Sequence, residues 1–547
     1  MLNLPNHQLQ RIYNILNRYG VYGYILLVLV LLLPVWINTY FVTLDGPCHL
    51  YNANILRNMA LGQNTDFFGR FYAFNHDYVP NWFSHIVLAG LLNFCAPPFA
   101  EKLLISVYII AFTGFTWLLV NQINGNNRLL AFTALPFVYT YVLQKGFYNF
   151  SFGLVFMLVL LWFHFTYQNR LRVWVFVCIE TLLFTITYFV HPFGYLLAGG
   201  ILFMHTFLAS LTNKQPWALW LSATFKKTVP LAIAVLPSAV MMLLFFLSRT
   251  AEPSRPNPET QDKLWEFLYH VTAIVNLTSA EEPYTEFVYR LFALLLGAGL
   301  VVKLFLRRLS PYDSFLLMAA AMLWFYFHAP ASFAGGGMIN QRLMLIPFIV
   351  IIFWFASVSY PKIISILASI AAVVVTICLL AVRMPVHAKA SDLTEDYLSA
   401  SAYIKPYTTV LPLSYNHYGT DRQGHNITSS IWIFFHSLDY MGAAQPLIML
   451  GNYEAATNHF PLVWQPTKDP FIHLGKNEGI ESTPPCVNFD QYKQVSGENI
   501  DYVLLLCSPG QYINHYCTKD VQDKLNKEYT LIYTSPTYRT RLYELKR

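Results

Sequence analysis

The run Ile25-Leu-Leu-Val-Leu-Val-Leu-Leu-Leu-Pro-Val-Trp-Ile37, followed shortly by Leu44-Asp45-Gly46-Pro47-Cys48-His49-Leu50-Tyr51-Asn52-Ala53, sets the terms on which the rest of the chain is read. The first part belongs to an apolar stretch spanning about 20–43, long enough to cross a bilayer core of about 30 Å as a helix. The second part places a carboxylate directly after that stretch, then a Gly-Pro turn and a further helical run. The surrounding composition fits a lipid solvent. The 547 residues are 55% hydrophobic, 17% aromatic and only 12% charged, against roughly 25% charged in soluble globular chains. A formal net charge of +6 is small for this length. It argues against a nucleic-acid partner and suits basic cytoplasmic loops.

Further apolar segments fall at about 81–95, 101–123, 129–145, 150–167, 173–190, 193–211, 229–248, 286–303, 312–329, 343–359 and 362–382. Basic residues orient them: Arg11 and Arg18, Arg128, Arg170 and Arg172, Lys214 with Lys226 and Lys227, Lys303 with Arg307 and Arg308, and Lys362 are read as cytoplasmic. They recur at every second junction only if 81–95 stays at the interface. That segment is short and carries Asn81, Trp82, Ser84, His85 and Asn93, which suits an interfacial or re-entrant helix. The expected fold is therefore mainly α. It is a polytopic transmembrane helical bundle of about 11 crossings over residues 1–382, with a large first outer loop at 44–100, followed by a small extracytoplasmic α/β domain over 383–547. The N-terminus is expected in the cytoplasm and the C-terminal domain outside. In the latter, 501–507 reads as a buried strand, 519–529 as a helix, and 530–534 and 538–545 as short strands. The loop at 249–285 holds Leu264, Phe267, Leu268 and Val271 at helical spacing, as a membrane-surface helix does. Gly335-Gly336-Gly337 forms a flexible outer loop. No signal-peptide cleavage pattern follows the first apolar run. With the compact loops, this favours a bacterial inner membrane and a periplasmic C-terminal domain. Seven cysteines show no metal-type spacing. Cys507 and Cys517 lie close enough in sequence to pair in an oxidising compartment or to remain two free thiols. Asn149, Asn276 and Asn426 open glycosylation-type triplets, whose use depends on the cell.

Asp45 sits at the membrane boundary, where desolvation raises a carboxyl's proton affinity and makes it a competent base. Asp and Pro also favour helix starts, so residue chemistry leaves a capping role open. His49, four residues on, shares a face with Asp45 if the helix begins at the turn. This arrangement of a long first helix, an outer-face acidic residue in Asp45-Gly-Pro-Cys-His-Leu-Tyr-Asn, a dipping segment after Pro80-Asn81-Trp82, many crossings and a C-terminal outer domain resembles the GT-C superfamily of membrane glycosyltransferases. Within it, the chain is similar to the bacterial lipid A aminoarabinose transferase and protein O-mannosyltransferase type. The resemblance implies an inverting transferase that moves a sugar from a polyprenyl-phosphate donor to an acceptor glycan, lipid or protein on the non-cytoplasmic side. It assigns activation of the acceptor to Asp45.

The chain departs from the superfamily pattern in the next outer loop, Gln144-Lys145-Gly146-Phe147-Tyr148-Asn149-Phe150-Ser151, which lacks the second acidic residue many members carry. No cofactor is expected, and a divalent metal is left open, since hard cations favour several oxygen ligands. Tyr148 and Asn149 suit sugar hydrogen bonds, or interfacial anchoring and a turn. Arg342 is the best phosphate ligand because a guanidinium offers two parallel hydrogen bonds. Lys145 is a candidate point charge beside it, and both also suit contacts with lipid headgroups. His191, in Val190-His191-Pro192, lines an acceptor site or forms a polar turn. Glu281 and Glu282 read as a solvated acidic loop rather than a sugar contact. Glu180 and His205 fall at similar depth on neighbouring helices and are expected to hydrogen-bond. The rival functions are a transporter or flippase of lipid-linked glycans, disfavoured by the absence of a clear repeat, and a non-catalytic assembly protein of the same architecture.

Overall fold

A computed structural model describes residues 6–77, 79–212, 217–248, 273–274, 277–306, 309–332, 336–476 and 479–547. The surface segment around Leu264, Phe267, Leu268 and Val271 lies outside the described residues, as do Lys214, Asn276, Arg307, Arg308 and Gly335. Among the described residues, nine helices are long and apolar enough to cross a membrane: Gln8–Ile37, Pro97–Ile123, Tyr148–Tyr167, Val173–Val190, Pro192–Leu211, Thr224–Ser248, Ser279–Leu306, Ile339–Ser357 and Lys362–Tyr403. A shorter apolar helix spans Asp313–His328. The chain is a polytopic helical membrane protein with a small C-terminal sheet. The segment expected to dip at 81–95 forms the helix Phe83–Leu91, about 13 Å long at 1.5 Å per residue and too short to cross.

The one expected crossing that does not form an α-helix is 129–145. It is a 3₁₀ run over Gly125–Phe137, followed by the short helix Tyr141–Gln144. Asn124 caps the run by accepting from the Asn126 amide, Asn127 leaves helical geometry at φ −115°, and Pro136 lies inside. The Asn127 amide donates to the carbonyls of Ala356 and Val358. It thereby satisfies the Ala356 carbonyl at the end of a neighbouring helix and joins the Tyr360 amide on that of Val358.

Contacts divide the chain into two compact units. The first comprises Met1–Leu33, Ser106–Leu143 and Asn149–Arg383 and carries most of the apolar helices. Its buried charges are paired, as a low-dielectric interior requires. Glu180 accepts from His164 Nδ1 at 2.6 Å, not from His205, whose ring packs against Phe165 and Tyr312. Glu281 is fully buried rather than solvated. One of its oxygens accepts from the Leu277 and Thr278 amides and the other from Arg383 Nε at 2.6 Å. Glu282, one residue on, is exposed as expected.

The second unit comprises Pro34–Ile105, Gln144–Tyr148 and Met384–Arg547. Its spine is the helix Gly46–Ala60, started by Pro47 in the first turn and buried along nearly its whole length. Tyr51 donates to the Leu447 carbonyl and accepts from the Met449 amide, and Asn54 donates to the Gly442 carbonyl. Asn52 and Asn452 exchange amide hydrogen bonds at 2.9 and 3.0 Å. These contacts fasten the loop after the first membrane helix to the C-terminal region. A two-stranded pairing does the same: β1 (Tyr72–Phe74) runs antiparallel to β4 (Leu462–Trp464). The five-stranded sheet has the order β3 (Leu447–Met449), β2 (Thr408–Ser414), β5 (Tyr502–Leu506), β7 (Thr540–Leu545), β6 (Tyr529–Thr534). β5 is central and wholly buried, which is why its sequence is a continuous apolar run rather than an alternation. The helix Tyr516–Glu528 and the strands β6 and β7 fall where the sequence expects them, within a few residues.

Cys517 forms a disulfide with Cys486, while Cys507 is a buried free thiol within hydrogen-bond reach of the Tyr397 hydroxyl. The pair considered from sequence, Cys507 with Cys517, is therefore corrected: Cys507 ends the buried strand β5, and Cys517 faces the segment before helix Phe489–Ser496 instead. Peptide mapping without reduction should recover the Cys486–Cys517 link and find Cys507 alkylated only after unfolding; a Cys507–Cys517 peptide would refute the assignment. Cys517→Ser should cost about 3.7 kcal/mol, the chain-entropy value for a loop of this length.

Candidate active site

The second unit gathers titratable side chains around the start of the helix Gly46–Ala60. Two backbone segments cross there. The Leu44 amide donates to the Gln144 carbonyl and the Asp45 amide to the Lys145 carbonyl, each at 3.1 Å. Two glycines make the approach possible. Gly146 has φ +83°, and a β carbon on it would lie 2.7 Å from the Asp45 nitrogen; one on Gly46 would strike Glu101, Thr43 and Tyr148. The Gln144–Tyr148 loop is thereby fixed against Asp45 by backbone contacts, which the Gln144 side chain reinforces by donating to the Val42 carbonyl.

Asp45 occupies the N-cap position but its side chain makes no capping hydrogen bond. The capping reading open at the sequence level thus does not describe the carboxylate, which is only 4% exposed. It is hydrogen-bonded by the Tyr453 hydroxyl and lies 3.8 Å from His436 Nε2. Burial pushes the Asp45 carboxyl up to about 7; His49 opposes this, Glu454 adds to it, and the Tyr453 hydrogen bond and Lys145 oppose it. Burial likewise raises Glu481 to about 7, with Asp45 adding to the shift, and Asp439 to about 8. His436 goes the other way: burial lowers it to about 3, so its ring, stacked on Tyr453 at 4.6 Å, is neutral near pH 7. Lys145 is buried, with its ammonium 4.9 Å from the Trp432 ring centroid, and its pKa is lowered by burial against the pull of Asp45.

His49 reaches the same pocket from one turn further along the helix. Its Nε2 lies 2.9 Å from the Gly146 carbonyl, and its Nδ1 lies 2.5 Å from Glu454 Oε1 and 3.4 Å from His85 Nε2. His85 in turn lies 2.8 Å from Glu454 Oε2. Burial opposes charge on His49, and the Glu454 carboxylate and its hydrogen bond overcome this, so its pKa is raised. The same two histidines overcome burial at Glu454 and hold it near 2. These three residues are the group of potential metal ligands found among the described residues.

Of the residues singled out from sequence, Asp45, His49, Lys145 and Tyr148 come together in this unit. Tyr148 spends its hydroxyl on Thr43 and Glu101. Asn149, His191 and Arg342 belong to the first unit. There His191 caps the helix Pro192–Leu211 by accepting from the Phe193 amide, and Arg342 lies over the Phe150 ring at 5.7 Å. The sequence reading did not find His85, Glu101, His436, Asp439, Tyr453, Glu454 or Glu481 as site residues. Only Glu101 left a trace, as a carboxylate in the first turns of an otherwise apolar helix.

Fold and site together describe a polytopic membrane protein whose first loop and C-terminal region enclose a buried carboxylate. The structure is similar to that of ArnT from Cupriavidus metallidurans in the apo state, with a TM-score of 0.55 and 11% identity over 96% of this chain and 98% of that one. The same enzyme bound to undecaprenyl phosphate matches with a TM-score of 0.51 and 12% identity, over 95% and 98% of the two chains. No protein-family model matches the chain, and no curated protein matches it significantly.

The close approach at Gly146 yields a testable consequence. Gly146→Ala places a β carbon against Asp45 in a left-handed backbone and should cost about 2 kcal/mol or more. Gly62→Ala has similar backbone strain at φ +68° but open space around it. Thermal unfolding should show the larger fall for Gly146→Ala; equal falls would remove the argument from packing.

Proposed function

We propose that the protein is an inverting glycosyltransferase that takes a sugar from a polyprenyl-phosphate donor and passes it to a hydroxyl-bearing acceptor outside the cytoplasm. The observation that carries this reading is the Asp45 carboxylate, which is buried, not engaged as a helix cap, and raised in proton affinity to near neutrality. A base works best when its pKa lies near the working pH. Asp45 accepts the proton of the acceptor hydroxyl as that oxygen attacks the anomeric carbon. The bond from that carbon to the phosphate oxygen breaks on the opposite face, and the phosphate leaves with the electron pair. Because phosphate is a tolerable leaving group, no carboxylic acid is needed on its side, in contrast to glycoside hydrolysis. Lys145, the cation beside Asp45, stabilises the charge that develops on the phosphate. Arg342 is a further lipid-phosphate ligand on the strength of its guanidinium chemistry. Neutral His436 and Tyr453 hold the Asp45 carboxylate in one orientation.

The GT-C-like fold and the undecaprenyl phosphate bound to the matched ArnT support this donor class. The buried disulfide supports an oxidising compartment for the C-terminal region. The basic residues favour a cytoplasmic N-terminus, and the whole reading favours a bacterial inner membrane. The test is sugar transfer by purified, reconstituted protein from labelled polyprenyl-phosphate sugars. Asp45→Asn should lower kcat by about 10²- to 10⁴-fold with little change in donor binding. Full turnover by that variant removes Asp45 from the mechanism, and movement of the glycolipid across liposomes without covalent change selects a transporter.

A further inference from the structure

We infer that His49, His85 and Glu454 form a binding site for a divalent transition metal, most suited to zinc, that ties the first loop to the C-terminal region. This goes beyond the transfer reading and does not depend on it. The three side chains come from separate elements: the helix Gly46–Ala60, the helix Phe83–Leu91 and the 3₁₀ turn Glu454–Ala456. All are buried, with His85 and Glu454 fully so.

The hydrogen bonding fixes the orientation of His49. A backbone carbonyl only accepts, so Nε2 of His49 must donate to Gly146. In the neutral ring this leaves Nδ1 as a lone pair. Nδ1 then faces Glu454 Oε1 and His85 Nε2. Three potential ligand atoms from separate elements thus converge in a dry site, all within 4.8 Å of one another. A single divalent ion satisfies all three with neutral imidazoles.

The dimensions suit such an ion. For tetrahedral bonds of about 2.0–2.1 Å, neighbouring ligand atoms lie about 3.3–3.4 Å apart, and the two nitrogens are 3.4 Å apart. The Glu454 oxygens are closer to the nitrogens, at 2.8 and 2.5 Å, so the carboxylate draws back when an ion enters. Two imidazoles and a carboxylate are borderline-soft ligands that zinc accepts, and they leave a fourth position open. At His49 the second shell is of the usual kind, since a metal-bound histidine donates its other ring N–H to a backbone carbonyl; the second ring nitrogen of His85, Nδ1, is buried without a hydrogen-bond partner. For His49 that carbonyl is Gly146, in the segment that contacts Asp45. A metal at this site therefore acts as a positioning element for Asp45. Local charge favours it as well: Asp45 and Asp439 lie close enough to Glu454 to interact with it.

The experiment is elemental analysis of the full-length protein, purified in detergent from cells grown with added zinc, with cobalt substitution as a second readout. About one metal per chain is expected, with the visible absorption of four-coordinate Co²⁺ after exchange. His85→Ala and Glu454→Gln should each lower metal content at least tenfold. His425→Ala, an exposed histidine away from the cluster, should leave it unchanged. Should the variants fail to fold, the wild-type stoichiometry and cobalt spectrum still decide. Wild-type protein without stoichiometric metal or a Co²⁺ spectrum overturns the proposal in favour of a protonated His–Glu cluster, as does unchanged metal content in folded His85→Ala.

Discussion

The pairing of Leu44 and Asp45 with Gln144 and Lys145 is the constraint on which the second unit's chemistry depends. It joins residues a hundred positions apart by two backbone hydrogen bonds, and it exists only because Gly46 and Gly146 carry no side chain where the two segments meet. A backbone clamp of this kind tolerates no rotation. It sets the direction in which Asp45 projects, brings Lys145 beside it, and offers the Gly146 carbonyl to His49. The helix Gly46–Ala60 then transmits that placement to the C-terminal region through Tyr51, Asn52 and Asn54. The carboxylate is thus positioned by main-chain geometry and side-chain packing together, and the long flexible side chains in the site inherit their places from it.

A cluster this rich in buried carboxylates is costly to fold, because each charge taken out of water loses solvation that neighbours must replace. The protein meets that cost unevenly. Glu454 is compensated by two histidines, and its proton affinity falls. Asp45, Asp439 and Glu481 are left under-compensated, and theirs rise. In the first unit every comparable group, Glu180 with His164 and Glu281 with Arg383, is closely paired. Residual electrostatic strain concentrated in one pocket, and relieved elsewhere, is the pattern expected where charge is kept for chemistry.

How much of this was legible in the sequence follows from the range of each signal. Membrane helices are local, so length and apolarity located nearly all of them. The segment 129–145 misled because composition does not distinguish an α-helix from a 3₁₀ run, and the deciding group, Asn127, acts on another helix. Asp45 stood out because its cue, a carboxylate at the end of a long apolar run, is also local. Glu454 and His85 did not, since their meaning depends on meeting His49 across 405 and 36 positions of chain, which no spacing rule encodes. Glu180 shows the same limit: depth along the membrane matched it to His205, but His164 on the other neighbouring helix takes the bond. Glu281 read as solvated because its partner, Arg383, lies beyond three further helices.

The segment Gln144–Ser151 illustrates how a carboxylate can reach a loop from elsewhere in the chain. No carboxylate occurs between Gln144 and Ser151, yet Glu101, from the first turns of a membrane helix, reaches Tyr148 within that loop. One of its oxygens accepts the Tyr148 hydroxyl and the other the Tyr440 hydroxyl. A carboxylate with both oxygens engaged by donors acts as an anchor for those two rings. It has little capacity left for a substrate. The two acids thus differ in role: Glu101 fixes Tyr148 against Thr43 and Gly46, and Asp45 is held beside them by the backbone pairing with Lys145.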